Sequence, residues 1–251
     1  MQMYEVGGCV RDELMGHKSS DIDFTVELSG NEDAWHTPLG TDPFLVMVAE
    51  LERRGFQIFA TTPHFFVAKG KFPKTPEFAH YGGLVADFVL ARKESTYSDG
   101  RRPDVVAVGN LYDDLARRDF TMNAIAKAED GTLIDPFGGQ AAIEGRFIQT
   151  VGDPHLRFQE DALRAVRALR FSVTKGFRIA DGTKFAMESM AVLHAINTNI
   201  SDERIMAELS KMFRFDTIDS LAALNKFPQL TRAMFSGKVN LDATMKTKNR
   251  G

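Results

Sequence analysis

Through the first half of the chain the apolar residues come in short runs, MYEV, IDFTVEL, FFVAKG, VADFVLA, NAIAKA and TLIDPF, separated by Gly, Pro, Ser and Asp. Runs of this length, alternating or unbroken and bounded by turn residues, predict strands. One segment among them, PFLVMVAELERRG, has helical spacing instead and is closed by Gly55. The texture changes near Gly152. Beyond it Leu163, Val166 and Leu169 recur at helical intervals. A second helix fits 201–213, with Ser201 as N-cap and Asp202 and Glu203 in the first turn, and a third fits 216–227. The pattern predicts an α+β chain: a small mixed-sheet head over residues 1–151, then an all-helical neck or body over 152–251. The sequence shows no internal repeat, and its Lys- and Thr-rich end has weak periodicity.

Composition adds bounds. With 251 residues, 43% hydrophobic and 26% charged, the chain can bury one sizeable core or two modest ones. A single cysteine, Cys9, excludes an intramolecular disulfide, and no Cys/His spacing suits zinc. The first residues meet glycine and charge too soon for a signal peptide, and no apolar run approaches the roughly 18 residues of a spanning helix. A soluble protein of a reducing cytoplasm is expected, with no membrane partner. The net charge of −3 hides a local excess: residues 146–178 hold seven Lys/Arg (Arg146, Arg157, Arg164, Arg167, Arg170, Lys175, Arg178) against Asp153, Glu160 and Asp161.

Asp21-Ile22-Asp23-Phe24-Thr25-Val26 alternates strictly. On a strand both carboxylates face one side, about 7 Å apart at Cα from a rise of ~3.3 Å, while Ile22, Phe24 and Val26 face the core. Two such acids repel unless a cation joins them. Mg²⁺, which takes a few carboxylate oxygens and fills its shell with water and phosphate oxygens, suits that role. Two solvated acids on an edge strand would also explain so short a pattern. The upstream residues shift the balance: Gly7 and Gly8 follow an apolar strand and precede 10–14, which can open a helix, so backbone can approach a phosphate at the turn.

The stretch GGCVRDELMGHKSSDIDFTV resembles the first motif of the class II tRNA nucleotidyltransferases and bacterial poly(A) polymerases, within the DNA polymerase beta-like nucleotidyltransferase superfamily. The resemblance implies that Asp21 and Asp23 are catalytic and hold two Mg²⁺ ions, and that Gly7, Gly8 and Arg11 bind the incoming nucleotide. Superfamily members often add a third acid from a neighbouring strand. Asp87, within VADFV, has that setting as a metal ligand, the other reading being an edge-strand acid.

Residues Arg92 to Arg102, RKESTYSDGRR, are charged and turn-like, which reads as a loop. In the resembling family a loop here helps the change from C to A addition. Farther on, RRDFTMNA matches the family's second motif, RRDFTxNA. Arginines hold triphosphates through charge-assisted bidentate bonds, so Arg118 is the first candidate for phosphate or sugar. Asp119 and Asn123 would orient it or touch the ribose. The plain alternative is a helix-capping ion pair among Arg117, Arg118 and Asp119. Asp135-Pro136-Phe137-Gly138-Gly139 reads as a turn closing a hairpin.

Arg157, Asp161, Arg164 and Ala168 fall on one face if 157–168 is one helix, and a simple Asp161/Arg164 ion pair would account for two of them. Chemistry offers a sharper reading. A carboxylate accepts from an exocyclic amino group and a guanidinium donates to the adjacent ring nitrogen, an arrangement that fits cytosine and adenine and rejects uracil and guanine. RFQEDALRAVRALRF resembles the family's nucleotide-recognition motif, EDxLRxxR, which implies base reading by Asp161 and Arg164, with Arg167 on phosphate or fixing the pair. The segment 201–208 resembles a buttressing helix, where Arg204 and Glu208 would hold the recognition helix.

The resemblance runs from about residue 3 to residue 211 and implies template-independent addition of C and A, from CTP and ATP, to the 3′ end of tRNA. Family members commonly carry further helical segments that grip tRNA, for which this chain has little room. A poly(A) polymerase-like RNA tailing enzyme is the alternative enzyme. A non-catalytic RNA- or nucleotide-binding relic is the alternative class, against which the intact Asp21/Asp23 pair argues.

Overall fold

In the computed structural model, which describes residues 1–19, 21–28, 42–95 and 105–236, most of the predicted strands join one sheet. It contains β1 (Gln2–Val6), β2 (Ile22–Glu27), β3 (Gln57–Thr62), β4 (Val67–Lys71) and β5 (Val85–Leu90). A separate ladder pairs β6 (Arg92–Ser95) with β7 (Val105–Val108), and β8 (Ala126–Lys127) and β9 (Leu133–Ile134) complete the large sheet in the order β3-β4-β5-β2-β1-β8-β9. Only β2 and β5 run parallel; every other neighbour in that sheet is antiparallel. A parallel pair needs a long crossover. Here α2 (Pro43–Arg53) and the β3–β4 hairpin lie between the two strands in sequence.

Period-two alternation decides which face is core. Phe24 and Val26 of β2 and Ala86, Phe88 and Leu90 of β5 pack with Phe44, Met47 and Leu51 of α2, each at most 2% exposed. Phe56, Phe72 and Phe88 fill the same core with ring centroids 4.8–5.5 Å apart. The alternate residues, Asp23, Thr25 and Asp87, therefore occupy the opposite face. Helix α2 starts where Asp42 accepts from the Phe44 amide at 2.9 Å with Pro43 at the first helical position, and ends before Gly55, whose φ of 88° only glycine adopts cheaply.

Sequence pattern misses β3, and burial explains why. Five of its six residues are exposed, so this edge strand carries no alternating apolar signal. Arg92–Ser95 is a strand and not loop; the rest of the predicted loop, residues 96–102, lies outside the described residues. The DPFGG segment does not close the β8–β9 hairpin, whose turn is held by Gly131 N donating to Ala128 O and Ala128 N donating to Thr132 O, both at 2.9 Å. Instead Asp135 accepts from the amides of Gly139 and Gln140 and starts α4 (Gly139–Glu144).

After a parallel two-residue ladder, β10 (Phe147–Ile148) with β11 (Arg178–Ile179), the remaining elements are helices. They are α5 (Pro154–Glu160), α6 (Leu163–Thr174), α7 (Asp181–Met187), α8 (Met190–Thr198), α9 (Asp202–Phe215), α10 (Thr217–Lys226) and α11 (Pro228–Phe235). Leu163, Val166 and Leu169 are buried as their spacing predicted. Compactness divides the chain into one unit of Met1–Glu94, Val105–Arg118 and Met122–Gln140 and another that takes Asp119–Thr121 together with residues 141–236. The division thus falls earlier than the change of texture near Gly152. No helix among the described residues is long and apolar enough to cross a membrane.

Candidate active site

In the first unit, β1 ends at Val6 and the chain turns at Gly7, with φ 79°. The positive φ favours glycine there, and a Cβ would lie 2.7 Å from Arg118 Nη1, so the guanidinium would have to move aside. Gly8 then opens α1 (Gly8–Leu14). Arg11, on this helix, is only 6% exposed; its Nη1 donates to Asn123 Oδ1 at 2.5 Å and its Nε to Asp12 Oδ1 at 2.8 Å. Arg11 and Asn123 thus brace each other.

Parallel pairing of β2 with β5 sets Asp23 directly beside Asp87 on the polar face. Asp21 does not share the strand geometry its spacing predicted. It is exposed and stands one residue before β2, where the Ser19 hydroxyl donates to its carbonyl at 2.9 Å. Burial pushes the Asp23 carboxyl above its ordinary value; Arg118 opposes the rise, Asp87 and Asp21 add to it, and Lys69 opposes it. Lys69, opposite Asp87 on β4, places its Nζ 3.2 Å from Asp87 Oδ1. Among the described residues no three of His, Cys, Asp and Glu form a group that could hold a metal ion. Asp87 is engaged by a lysine, while Asp21 is exposed and Asp23 lies beside Asp87 on the polar face of β2.

The arginine motif follows α3 (Leu111–Ala116), which opens with a capping box between Asn110 and Asp113. Arg118 is not oriented by Asp119. Its Nη2 donates to Asp114 Oδ2 at 2.9 Å, its Nη1 to the Asn123 carbonyl at 3.4 Å, and its buried Nε has no partner among the described residues. Asp114 also accepts from Arg117 and from the Thr25 hydroxyl. Burial alone would raise the Asp114 carboxyl, but Arg118, Arg117 and Thr25 together hold it well below the usual carboxylate range. Sequence reasoning missed Asp114, although an acid three and four residues before two arginines was a visible signal.

Asp119 belongs to the second unit, where its Oδ2 takes Arg167 Nε at 2.8 Å and Nη2 at 2.7 Å. The expected continuous helix from 157 to 168 breaks at Asp161, which adopts φ −154° and ψ 103° between α5 and α6. Its carboxylate explains the break: Oδ1 accepts from the Leu163 amide at 3.1 Å, and Oδ2 takes Arg204 Nη2 at 2.7 Å. Arg164 does not pair with Asp161. Its Nη1 donates to Glu160 Oε2 at 2.6 Å and to the Arg157 carbonyl at 3.0 Å, and Arg157 also reaches Glu160, at 2.9 Å. Arg204 and Glu208 likewise ignore each other: Arg204 holds Asp161, while Glu208 binds Arg170 and lies 3.6 Å from Arg167. Within the basic segment 146–178, Arg157 and Arg164 thus share Glu160, and Arg167 and Arg170 meet Asp119 and Glu208 from outside it.

Residues 3–149 match the family model described as the poly A polymerase head domain. The chain is 41% identical over 212 residues to the CCA-adding enzyme of Geobacillus sp. (strain WCH70), covering 84% of this chain and 45% of that protein. To the CCA-adding enzyme of Anoxybacillus flavithermus (strain DSM 21510 / WK1) it is 39% identical over 224 residues, or 89% of this chain and 49% of that one. The crystal structure of the Bacillus stearothermophilus CCA-adding enzyme in complex with CTP is similar in fold, with a TM-score of 0.68 at 31% identity over 89% of this chain and 47% of that chain. The chain spans a little under half the length of these curated relatives. On the matched head, the acidic strand and the arginine turn, the chain belongs to the family of class II CCA-adding enzymes and poly(A) polymerases.

Proposed function

We propose that this chain transfers nucleotides from CTP and ATP to the 3′ end of an RNA without a template, the RNA being tRNA and the product its CCA end. The observation that carries the reading is the polar face of the first unit, where Asp23 stands beside Asp87, Asp21 precedes them, and Arg118 passes under the Gly7 turn. The match to CCA-adding enzymes, one of them in complex with CTP, supports it.

In the reaction, the RNA 3′-hydroxyl oxygen attacks the α-phosphorus of the triphosphate, and pyrophosphate leaves. Asp21 and Asp23 would hold Mg²⁺, which when bound activates the hydroxyl and neutralises charge on the leaving group. Arg118 supplies a fixed cation for the triphosphate, with an Nε donor that no described residue takes. Gly7 and Gly8 let main chain approach the phosphates, while Arg11 and Asn123 keep that turn in shape. Asp119 and Arg167 form one brace in the second unit. There, Asp161 accepts from the amino group of cytosine or adenine and Arg164 donates to the adjacent ring nitrogen.

The test is incubation with Mg²⁺, tRNA ending before CCA, and each labelled nucleoside triphosphate in turn, alone and combined. Two C and one A are expected, in that order. Long A tails would assign the chain to the poly(A) branch of its family, and absence of any transfer by folded protein that still binds nucleotide would make it a binding relic.

A further inference from the structure

Asp114 is wholly buried, at 0% exposure, with two guanidiniums on its carboxylate. A charge at that depth persists only when paired and hydrogen-bonded, and an apolar side chain of similar size would serve packing as well. Its partners suggest what the charge does. Oδ1 accepts from Arg117 Nε at 3.0 Å, and Oδ2 accepts from Arg118 Nη2 at 2.9 Å and from the Thr25 hydroxyl at 2.7 Å. Thr25 is two residues along β2 from Asp23 and so lies on the same polar face. One carboxylate oxygen therefore ties the strand of the metal-binding acids to the arginine meant for the triphosphate.

We propose that Asp114 is a positioning residue that fixes Arg118 relative to the acidic strand through Thr25, so that phosphate grip and metal site share one internal reference. The inference rests on the nucleotidyl-transfer reading above. Neither Asp114 nor Thr25 touches substrate in it; both act through Arg118 and β2. Gly7 is the third part of the device, since any Cβ there would enter the space of the guanidinium.

Thr25→Val keeps the shape and β-branching of the side chain, removes only the strand link and leaves both arginines paired. Asp114→Asn removes the charge, and Asp114→Glu restores it on a longer arm. ATP and adenosine affinities are measured by calorimetry with Ca²⁺ replacing Mg²⁺ to block turnover, Mn²⁺ affinity is measured separately, and KM and kcat are taken for CTP addition. Asp114→Asn is expected to weaken ATP about tenfold or more while leaving adenosine unchanged, the loss of one charge-assisted hydrogen bond. Thr25→Val should raise KM for CTP severalfold with kcat nearly constant, and Asp114→Glu should recover part of the ATP affinity. If Thr25→Val binds ATP and Mn²⁺ like the parent and differs only in melting temperature, Asp114 is a packing residue and the proposal is wrong. Should Asp114→Asn fail to fold, Thr25→Val decides alone. A parent that binds adenosine but not ATP would overturn the nucleotidyl-transfer reading first, an outcome distinct from parent and variants binding ATP alike.

Discussion

Asp23 is held where a carboxylate is least comfortable: partly buried, beside Asp87 and close enough to Asp21 to feel its charge. Its raised carboxyl pKa means that the fold gives up stability as pH rises through that value, a loss that a bound divalent cation removes. Asp23→Asn should accordingly melt at a higher temperature than the parent in EDTA at neutral pH, and Mg²⁺ should raise the melting temperature of the parent alone. Nucleotide addition should vanish in Asp21→Ala and in Asp23→Ala while the fold persists; turnover within tenfold of the parent in either would remove them from the metal site. Gly7 carries a separate prediction. Gly7→Ala forces a Cβ residue into φ 79° and against Arg118, which costs about 1–2 kcal/mol for the backbone alone. The expected result is a modest drop in denaturation midpoint with a larger rise in KM for both CTP and ATP. An unchanged KM would separate the turn from the triphosphate.

Among the elements, the break between α5 and α6 departs most from the sequence pattern. No Gly or Pro ends the helix between Gln159 and Arg164, and Glu, Ala, Leu and Arg all favour helix, although Asp161 itself is a good cap. The break rests on the Asp161 carboxylate, which caps the Leu163 amide locally and is held by an arginine from α9, a tertiary contact that no periodicity can register. Alternation likewise could not show β3, whose residues are mostly exposed, whereas the turn at Gly7 and the polar-face placing of Asp23 were legible from residue type and local spacing. Partners that lie far apart in sequence, such as Lys69 with Asp87 or Arg167 with Asp119, were not. On the proposed reading, Arg204 would take part in base selection through Asp161. Asp161→Ala should relax the preference for CTP and ATP over UTP and GTP by on the order of 1–3 kcal/mol per lost hydrogen bond. Arg204→Met, which leaves the carboxylate but frees it, should relax the preference less. Values of kcat/KM for the four triphosphates on one RNA primer measure both. If Asp161→Ala loses rate yet excludes UTP and GTP as sharply as before, Asp161 is a structural residue of the break.

At the scale of the whole molecule, the net charge is −3, and Arg157, Arg164, Arg167 and Arg170 of the helical unit all meet carboxylates, which withdraws these four from phosphate. RNA binding by this chain should therefore depend only weakly on salt, with a log–log slope of magnitude below about 3, since each neutralised phosphate of a single strand contributes roughly 0.7. A slope beyond about 5 would mean that these pairs open to the RNA. Those pairs bear equally on how a base is judged. On the proposed reading, a base does not enter a vacant clamp: Asp161 already serves Arg204, and Arg164 already serves Glu160 and the Arg157 carbonyl. Cytosine or adenine replaces or shares those bonds nearly like for like, whereas uracil or guanine offers the wrong edge and the internal partners return. The protein's own resting contacts are then the competitor against which every nucleotide is compared, so that rejection needs no clash, only the recovery of a state the chain already prefers.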